Sequence, residues 1–365
     1  MVFIRGAGES QQEPRLTQAA GLVVSASGDS ALCVWRLRDG ACLRRLTGGP
    51  TTGAGGLRVV VDVGGGRVAS GGLDGALRVW DVLSGVQVRQ LPTRGGIVWC
   101  AAAVGGSIVA TGQTSVMGEI RLWSLLPGAE AGVGVLRGHT GTVCLLTVVP
   151  PVGGSEQARV QPLLASGSDD RSVRLWDVDA GTCTAVLKGH THWLRCLADL
   201  GGGLLLSVSA DRTLRVWDTA TTACLMEMQD AHGGVQAIRA ACAILGGAAT
   251  GSFGGTVQRG TWDAGARLLR PEGEALRLDG TFAVCALVTA PAARPDGPER
   301  LLVGCGSRGG VGSSGAGILV LLGGSGEQEA RRLHQPQFAL AAAAAPDSPQ
   351  HLRAATILGI AVLKE

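Results

Sequence analysis

Apolar runs of about five to eight residues follow one another along the chain, each closed by glycine, aspartate or proline. From His139 to Asp177 and just beyond, the runs are VCLLTVV, then an insertion, then LLASGSDD, SVRLWDV and TCTAVLKGH. Runs this short, rich in β-branched residues and bounded by turn residues, predict four antiparallel strands in a meander, here a, b, c and d. From His190 the pattern returns as LRCLADL, LLLSVSAD, TLRVWDT and CLMEMQDAH. The same frame places b and c strands at 23–37, 67–82, 108–124 and 244–263. Weaker copies cover 301–322 and 352–365.

Tryptophan marks the frame. Trp35, Trp80, Trp123, Trp176, Trp217 and Trp262 recur at intervals of 45, 43, 53, 41 and 45 residues, four of them in a Trp-Asp dipeptide. A unit of this period cannot bury its own faces, so copies must stack. Eight units are counted, with a seven-bladed ring and an irregular tail as the alternative. The whole chain, 1–365, is expected to form one all-β domain of four-stranded antiparallel blades. Met1 to Gly6 lines up with a strand d, which predicts that an N-terminal strand completes the last blade and closes the ring. The segments 150–161 and 291–299 lengthen a-to-b connections and read as exposed loops. The alanines at 341–345 fall where a strand a belongs.

Composition narrows the function classes. The 59 glycines suit many tight turns. A net charge of +3, from 32 basic and 29 acidic residues, lacks the basic footprint of a dedicated nucleic-acid binder. No apolar stretch reaches the roughly 18 residues of a membrane helix and no signal-peptide pattern opens the chain. A cytoplasmic or nuclear location is therefore expected, with no membrane partner. Seven of the ten cysteines recur with the repeat: Cys42, Cys183 and Cys224 after turns, and Cys100, Cys144, Cys196 and Cys285 in apolar runs. That placement reads as small core residues, not as a disulfide or zinc framework. No cofactor, metal or small-molecule substrate is expected.

The units SGSDDRSVRLWD (Ser166 to Asp177) and SVSADRTLRVWD (Ser207 to Asp218) resemble the WD-repeat family almost letter for letter. The resemblance implies a β-propeller in which buried His, Ser or Thr, Asp and Trp support each blade. Carried over by position, His139, Ser166, Asp170 and Trp176 form one set, and His190, Ser207, Asp211 and Trp217 another. A His-Ser-Asp recurrence also invites a hydrolase reading. Catalysis, however, needs an exposed nucleophile and an oxyanion hole, whereas these groups recur blade after blade. The expectation is a structural role and no enzyme. Other units are less complete: Ser25, Asp29, Trp35 and Ser70, Asp74, Trp80 lack the histidine, Met117 stands where Asp is expected, and Trp262 is shifted by two residues.

Function is then sought on the surface. Twelve positions before the b-strand Ser or Thr stand Arg58, Trp99 and Arg195, and the equivalent positions are Cys144 in the fourth unit and Gln236 in the sixth. These open the a strands at one level of the ring. Trp193 and Phe253 also fall outside the repeat's demands, and Arg308 is a further candidate from a turn. Arginine and tryptophan are enriched at binding hot spots, so Arg58, Trp99, Trp193, Arg195 and Gln236 are the candidate partner-binding residues. The expected function is a noncatalytic scaffold binding partner proteins or peptides on the rim and faces. The alternative draws on a resemblance to the substrate-receptor propellers of F-box ubiquitin ligases, whose a-strand arginines hold phosphorylated peptides; here no F-box precedes the repeats.

Overall fold

Four short strands joined by tight turns leave each sheet with two apolar faces, which only neighbouring sheets can cover. The computed structural model describes residues 21–27, 30–37, 41–47, 56–93, 96–105, 107–114, 118–128, 132–151, 161–229, 238–277, 282–290, 300–307, 317–322, 331–333 and 357–362. Among them stand seven four-stranded antiparallel sheets and no helix. Blade 2 comprises Leu57–Gly64, Arg67–Gly72, Ala76–Asp81 and Gln87–Pro92, and blade 3 comprises Val98–Gly105, Ile108–Gln113, Ile120–Ser124 and Gly132–Leu136. Blade 4 runs through Val143–Val149, Leu163–Ser168, Val173–Asp177 and Thr182–Leu187. Blade 5 follows with Leu194–Gly201, Leu204–Ser209, Thr213–Asp218 and Cys224–Gln229, and blade 6 with Ile238–Ile244, Gly247–Ser252, Thr256–Asp263 and Leu268–Arg277. Blade 7 holds Phe282–Ala290, Arg300–Ser307, Gly317–Leu322 and Arg331–Leu333.

Blade 1 is assembled from both ends of the described chain. Its order is Ile357–Val362, Leu22–Ser27, Ala31–Arg36, Cys42–Thr47. The first strand of each blade packs against the first strand of the next, and Ile357–Val362 touches both Leu57–Gly64 of blade 2 and Phe282–Ala290 of blade 7. The result is a closed β-propeller. Two sequence expectations change here. Within 352–365, the described residues Ile357–Val362 supply the innermost strand of blade 1 in place of an eighth unit or an irregular tail, and the described ring has seven blades. Closure therefore runs through a C-terminal strand a, antiparallel to Leu22–Ser27 with Val23 opposite Val362 and Val24 opposite Ala361. Met1 to Gly6, expected to close the last blade, lie outside the described residues.

Burial follows from position in the blade. Strand b, flanked by strands and covered by blades on both sides, is buried at all six positions in Leu163–Ser168 and in Gly247–Ser252. Strand d alternates, as the exposed and half-buried positions of Thr182–Leu187 show. The c-strand tryptophans lie between blades. Trp80 packs on the core of blade 1, Trp123 on that of blade 2, Trp176 on that of blade 3 and Trp217 on that of blade 4. Each indole is thus a wedge against the preceding blade.

Close approach also needs absent side chains. A Cβ on Gly112 would lie 2.5 Å from the carbonyl oxygen of Val143 in blade 4, and one on Gly251 would lie 2.3 Å from Cγ1 of Val284 in blade 7. At both places strand b of one blade meets the opening of the next blade's strand a.

Candidate functional site

The buried polar sets come first because they fix the turns from which the surface residues project. In blade 4, His139 lies 2.7 Å from Asp170 Oδ2 through Nδ1 and 2.7 Å from Ser166 Oγ through Nε2, while Trp176 Nε1 donates to Ser166 Oγ at 2.7 Å. A carboxylate only accepts, so Nδ1 carries the proton toward Asp170, and in the neutral ring Nε2 accepts from the serine hydroxyl. Blade 5 repeats this with His190 at 3.0 Å from Asp211, 2.8 Å from Ser207, and Trp217 at 2.8 Å from the same hydroxyl. Ser166 and Ser207 are fully buried.

Elsewhere the set thins. Trp35 bonds Ser25 and Trp80 bonds Ser70, each at 2.9 Å. Asp74 is paired with buried Arg78 instead of a histidine. In blade 3, Thr111 accepts from Trp123 at 2.8 Å and from Gln113 at 3.1 Å, so a glutamine amide stands in for the imidazole. Glu119, paired with Arg121 and Arg137, supplies the anion there. Met117 and Asp29 lie outside the described residues. In blade 6, Gly260 pairs with Ala248 at the level where Trp176 pairs with Leu164, and Trp262 is half-buried two residues further on.

These sets make the fold acid-sensitive. Burial works against the charge of Asp211, but hydrogen bonds from Thr213, Thr191 and His190 outweigh it and hold the carboxyl down to about 2. Asp170 is held lower still, its burial outweighed by His139 and Ser172. Burial lowers the His190 pKa from its ordinary value, more than Asp211 raises it. A depressed carboxyl contributes stability above its unfolded value near 4, lost as pH falls through the folded value. A depressed histidine likewise contributes least below its folded value, because the unfolded chain binds the proton first. The midpoint of urea unfolding should therefore fall below about pH 6.5 and fall again below about pH 4. A midpoint that rises on acidification would contradict this assignment, and His190→Gln should flatten the upper limb.

The surface site is built by a repeated irregularity. Every first strand carries a β-bulge near its start, with one extra residue opposite strand b. In blades 2 to 7 that residue is Arg58, Trp99, Cys144, Arg195, Arg239 and Cys285. In blade 1 the shift falls at Leu358. A bulge re-aims its side chain, here out of the alternation that would bury it. Arg58, Trp99, Arg195 and Arg239 are half-buried.

Each arginine at these bulges lies over an aromatic ring. The Cζ of Arg58 is 4.7 Å from the centroid of Trp99 in the next blade, and Arg195 is 5.2 Å from Trp193. Arg239 is 5.4 Å from Phe253. Trp99 Nε1 is held by Thr114 Oγ1 at 2.8 Å. Trp193 is held by its backbone, whose carbonyl accepts from Ser209 Oγ at 3.0 Å and Ala210 N at 3.0 Å, and its ring stands edge-on to His192. Trp193 and Phe253 keep 43% and 46% of their surface exposed. Asp169 of blade 4 contacts Cys144 Sγ at 3.6 Å, and burial, helped by this carboxylate, pushes the thiol up to about 12.

The structure thus brings Arg58 to Trp99 and Arg195 to Trp193, two pairs the sequence named without pairing. The sixth blade's bulge residue is Arg239, which the sequence reading did not name; it stands eleven positions before Thr250 instead of twelve, because strand a is shorter there. Gln236 and Arg308 lie outside the described residues. The signal was present in the steps Leu57-Arg58, Leu194-Arg195 and Ile238-Arg239. Among the described residues, no group of three His, Cys, Asp or Glu is placed to hold a metal ion, and no helix is long and apolar enough to cross a membrane.

Comparison with known proteins agrees with this architecture. The family "WD domain, G-beta repeat" matches residues 40–81, 132–177 and 181–218. The chain is 30% identical over 201 residues to nuclear distribution protein PAC1-2 of Uncinocarpus reesii, covering 49% of this chain and 42% of that protein. It is 33% identical over 132 residues to nuclear distribution protein PAC1 of Arthroderma otae, covering 35% and 28%. The match therefore spans less than half the length of these relatives. In fold it is similar to the solved structure of U3-55K, with a TM-score of 0.63 and 19% identity over 80% of this chain and 90% of that one.

Proposed function

From the premise that the chain is a WD40-repeat β-propeller, we propose that it is a noncatalytic scaffold that binds partner proteins or peptides on the face where the bulged strands open. The observation that carries this reading is the row of arginine–aromatic stacks, Arg58 on Trp99 and Arg195 on Trp193, at equivalent bulges of a rigid ring. Rigid, partly exposed aromatic and guanidinium groups are what interface hot spots use, because little side-chain entropy is lost on binding. Absence of catalysis is supported by the sealed His-Ser-Asp sets, whose hydroxyls no substrate can reach. The nuclear distribution proteins it resembles favour placement in the cytoplasm or nucleus. We assign it neither a nucleic-acid nor a small-molecule ligand.

A second reading, a phosphopeptide receptor of a ubiquitin ligase or signalling complex, draws support from Arg58 and Arg195 at equivalent bulges, since a guanidinium fork suits a phosphoryl group. One capture experiment separates the two. Partners retained from lysate by the wild-type chain should be reduced at least about tenfold by Trp99→Ala with Trp193→Ala, and should survive phosphatase treatment. Retention unaffected by both tryptophans would sink the face assignment. Loss on phosphatase treatment, reproduced by Arg58→Ala with Arg195→Ala, would select the phosphopeptide reading.

A further inference from the structure

Arg195 and Arg239 occupy the same bulge on neighbouring inner strands. Just below them the two strands touch, with Cys196 Sγ 3.1 Å from Ala241 N and 3.3 Å from its carbonyl oxygen. Both side chains therefore leave the ring side by side. An aromatic ring lies near each guanidinium, 5.2 Å from Arg195 Cζ and 5.4 Å from Arg239 Cζ, which favours the charged group there, and the terminal N–H groups of an arginine suit a planar acceptor. Resting on the scaffold reading, we propose that blades 5 and 6 hold a carboxylate-bearing segment of the partner between Arg195 and Arg239, with its apolar side chains on Trp193 and Phe253.

Charge selects the carboxylate. Burial and the nearby Arg239 both lower the Arg195 pKa, as expected of like charges held close, while Asp169 pulls the other way. An anion between the arginines relieves that repulsion. Two arginines against Asp169 leave one net positive charge, which a single carboxylate balances. A dianionic phosphate would add a second negative charge beside Asp169. The exposed Trp193 and Phe253 rings favour a segment in which acidic and apolar residues alternate.

The test is fluorescence anisotropy with three short labelled peptides: alternating glutamate and leucine, the same with glutamine for glutamate, and the same with phosphoserine. The glutamate peptide should bind wild type at least about tenfold more tightly than the glutamine peptide, and Arg239→Gln or Arg195→Gln should each weaken it about tenfold or more. Asp169→Asn should tighten it. Unchanged melting curves will show that the variants are folded. No binding of the glutamate peptide, equal binding of the glutamine peptide, or indifference to Arg239→Gln overturns the proposal, and a tighter phosphoserine peptide overturns the choice of carboxylate. If partner capture still depends on Trp99 and Trp193 in that event, the scaffold reading stands without this site.

Discussion

Trp176→Ala is expected to lower the unfolding free energy by about 3–5 kcal/mol, the usual range for emptying a large aromatic site. The ring is 1% exposed and packs among Cys100, Ala102, Ile120, Leu122, Leu136 and Val143 of the preceding blade and its inner neighbours. Its indole also holds Ser166 Oγ, the oxygen that His139 engages from the other side. Truncation opens a void between blades 3 and 4 and removes a donor from a buried hydroxyl. The surrounding β-sheets, tied by backbone ladders, have little freedom to collapse into that void. Trp176→Phe should cost less, about 1–3 kcal/mol, because it mainly removes the indole donor. Trp262→Ala should fall well below the Trp176 value, since Trp262 is half-buried and displaced from the wedge position that Gly260 occupies. Urea unfolding of the three variants checks the order. Equal losses for Trp176→Ala and Trp262→Ala would show that the ladder is energetically uniform.

The uneven ladder explains what the chain disclosed beforehand. Trp176 and Ser166 are ten residues apart, as are Trp217 and Ser207, Trp80 and Ser70, and Trp35 and Ser25. That spacing is a hairpin register, so strands b and c could be read from sequence wherever it recurs. Position 260 in blade 6 is glycine, and the register there no longer announces itself. Gln113 and Glu119 escaped notice because they replace a histidine and an aspartate with different residue types in different places, while serving the same hydrogen-bonding needs. Arg239 was missed for a related reason. A count from strand b assumes a fixed a-to-b length, and the sixth blade's inner strand is seven residues where Leu194–Gly201 has eight. The bulge that aims these side chains is a backbone event with no residue signature of its own. Pairing of Arg58 with Trp99 was equally invisible, because it crosses from one blade to the next.

Ring closure is where the second large effect is expected. A chain stopped before Ile357 should lose the single cooperative unfolding transition of the full chain and aggregate on warming. The reason is topological. Ile357–Val362 is the only strand of blade 1 that comes from the far end of the described chain, and it is the innermost one. Without it, Leu22–Ser27 presents an unpaired edge at the centre of the ring, and blades 2 and 7 lose the strand that both of them pack against. Unpaired edges recruit other strands, and opening a closed array removes one of its nearest-neighbour interfaces. A nine-residue deletion at a terminus usually matters little, because terminal residues are seldom tied down. Here Val23 opposite Val362, Val24 opposite Ala361 and Ser25 opposite Ile360 tie the terminus into the sheet. Light scattering and thermal unfolding of the shortened chain give the answer. A monodisperse product with the full chain's melting curve would mean that the ring holds without its clasp. If the clasp matters, supplying the missing strand as a synthetic peptide should restore part of the transition, because the inner edge of blade 1 is then the one place where that strand fits.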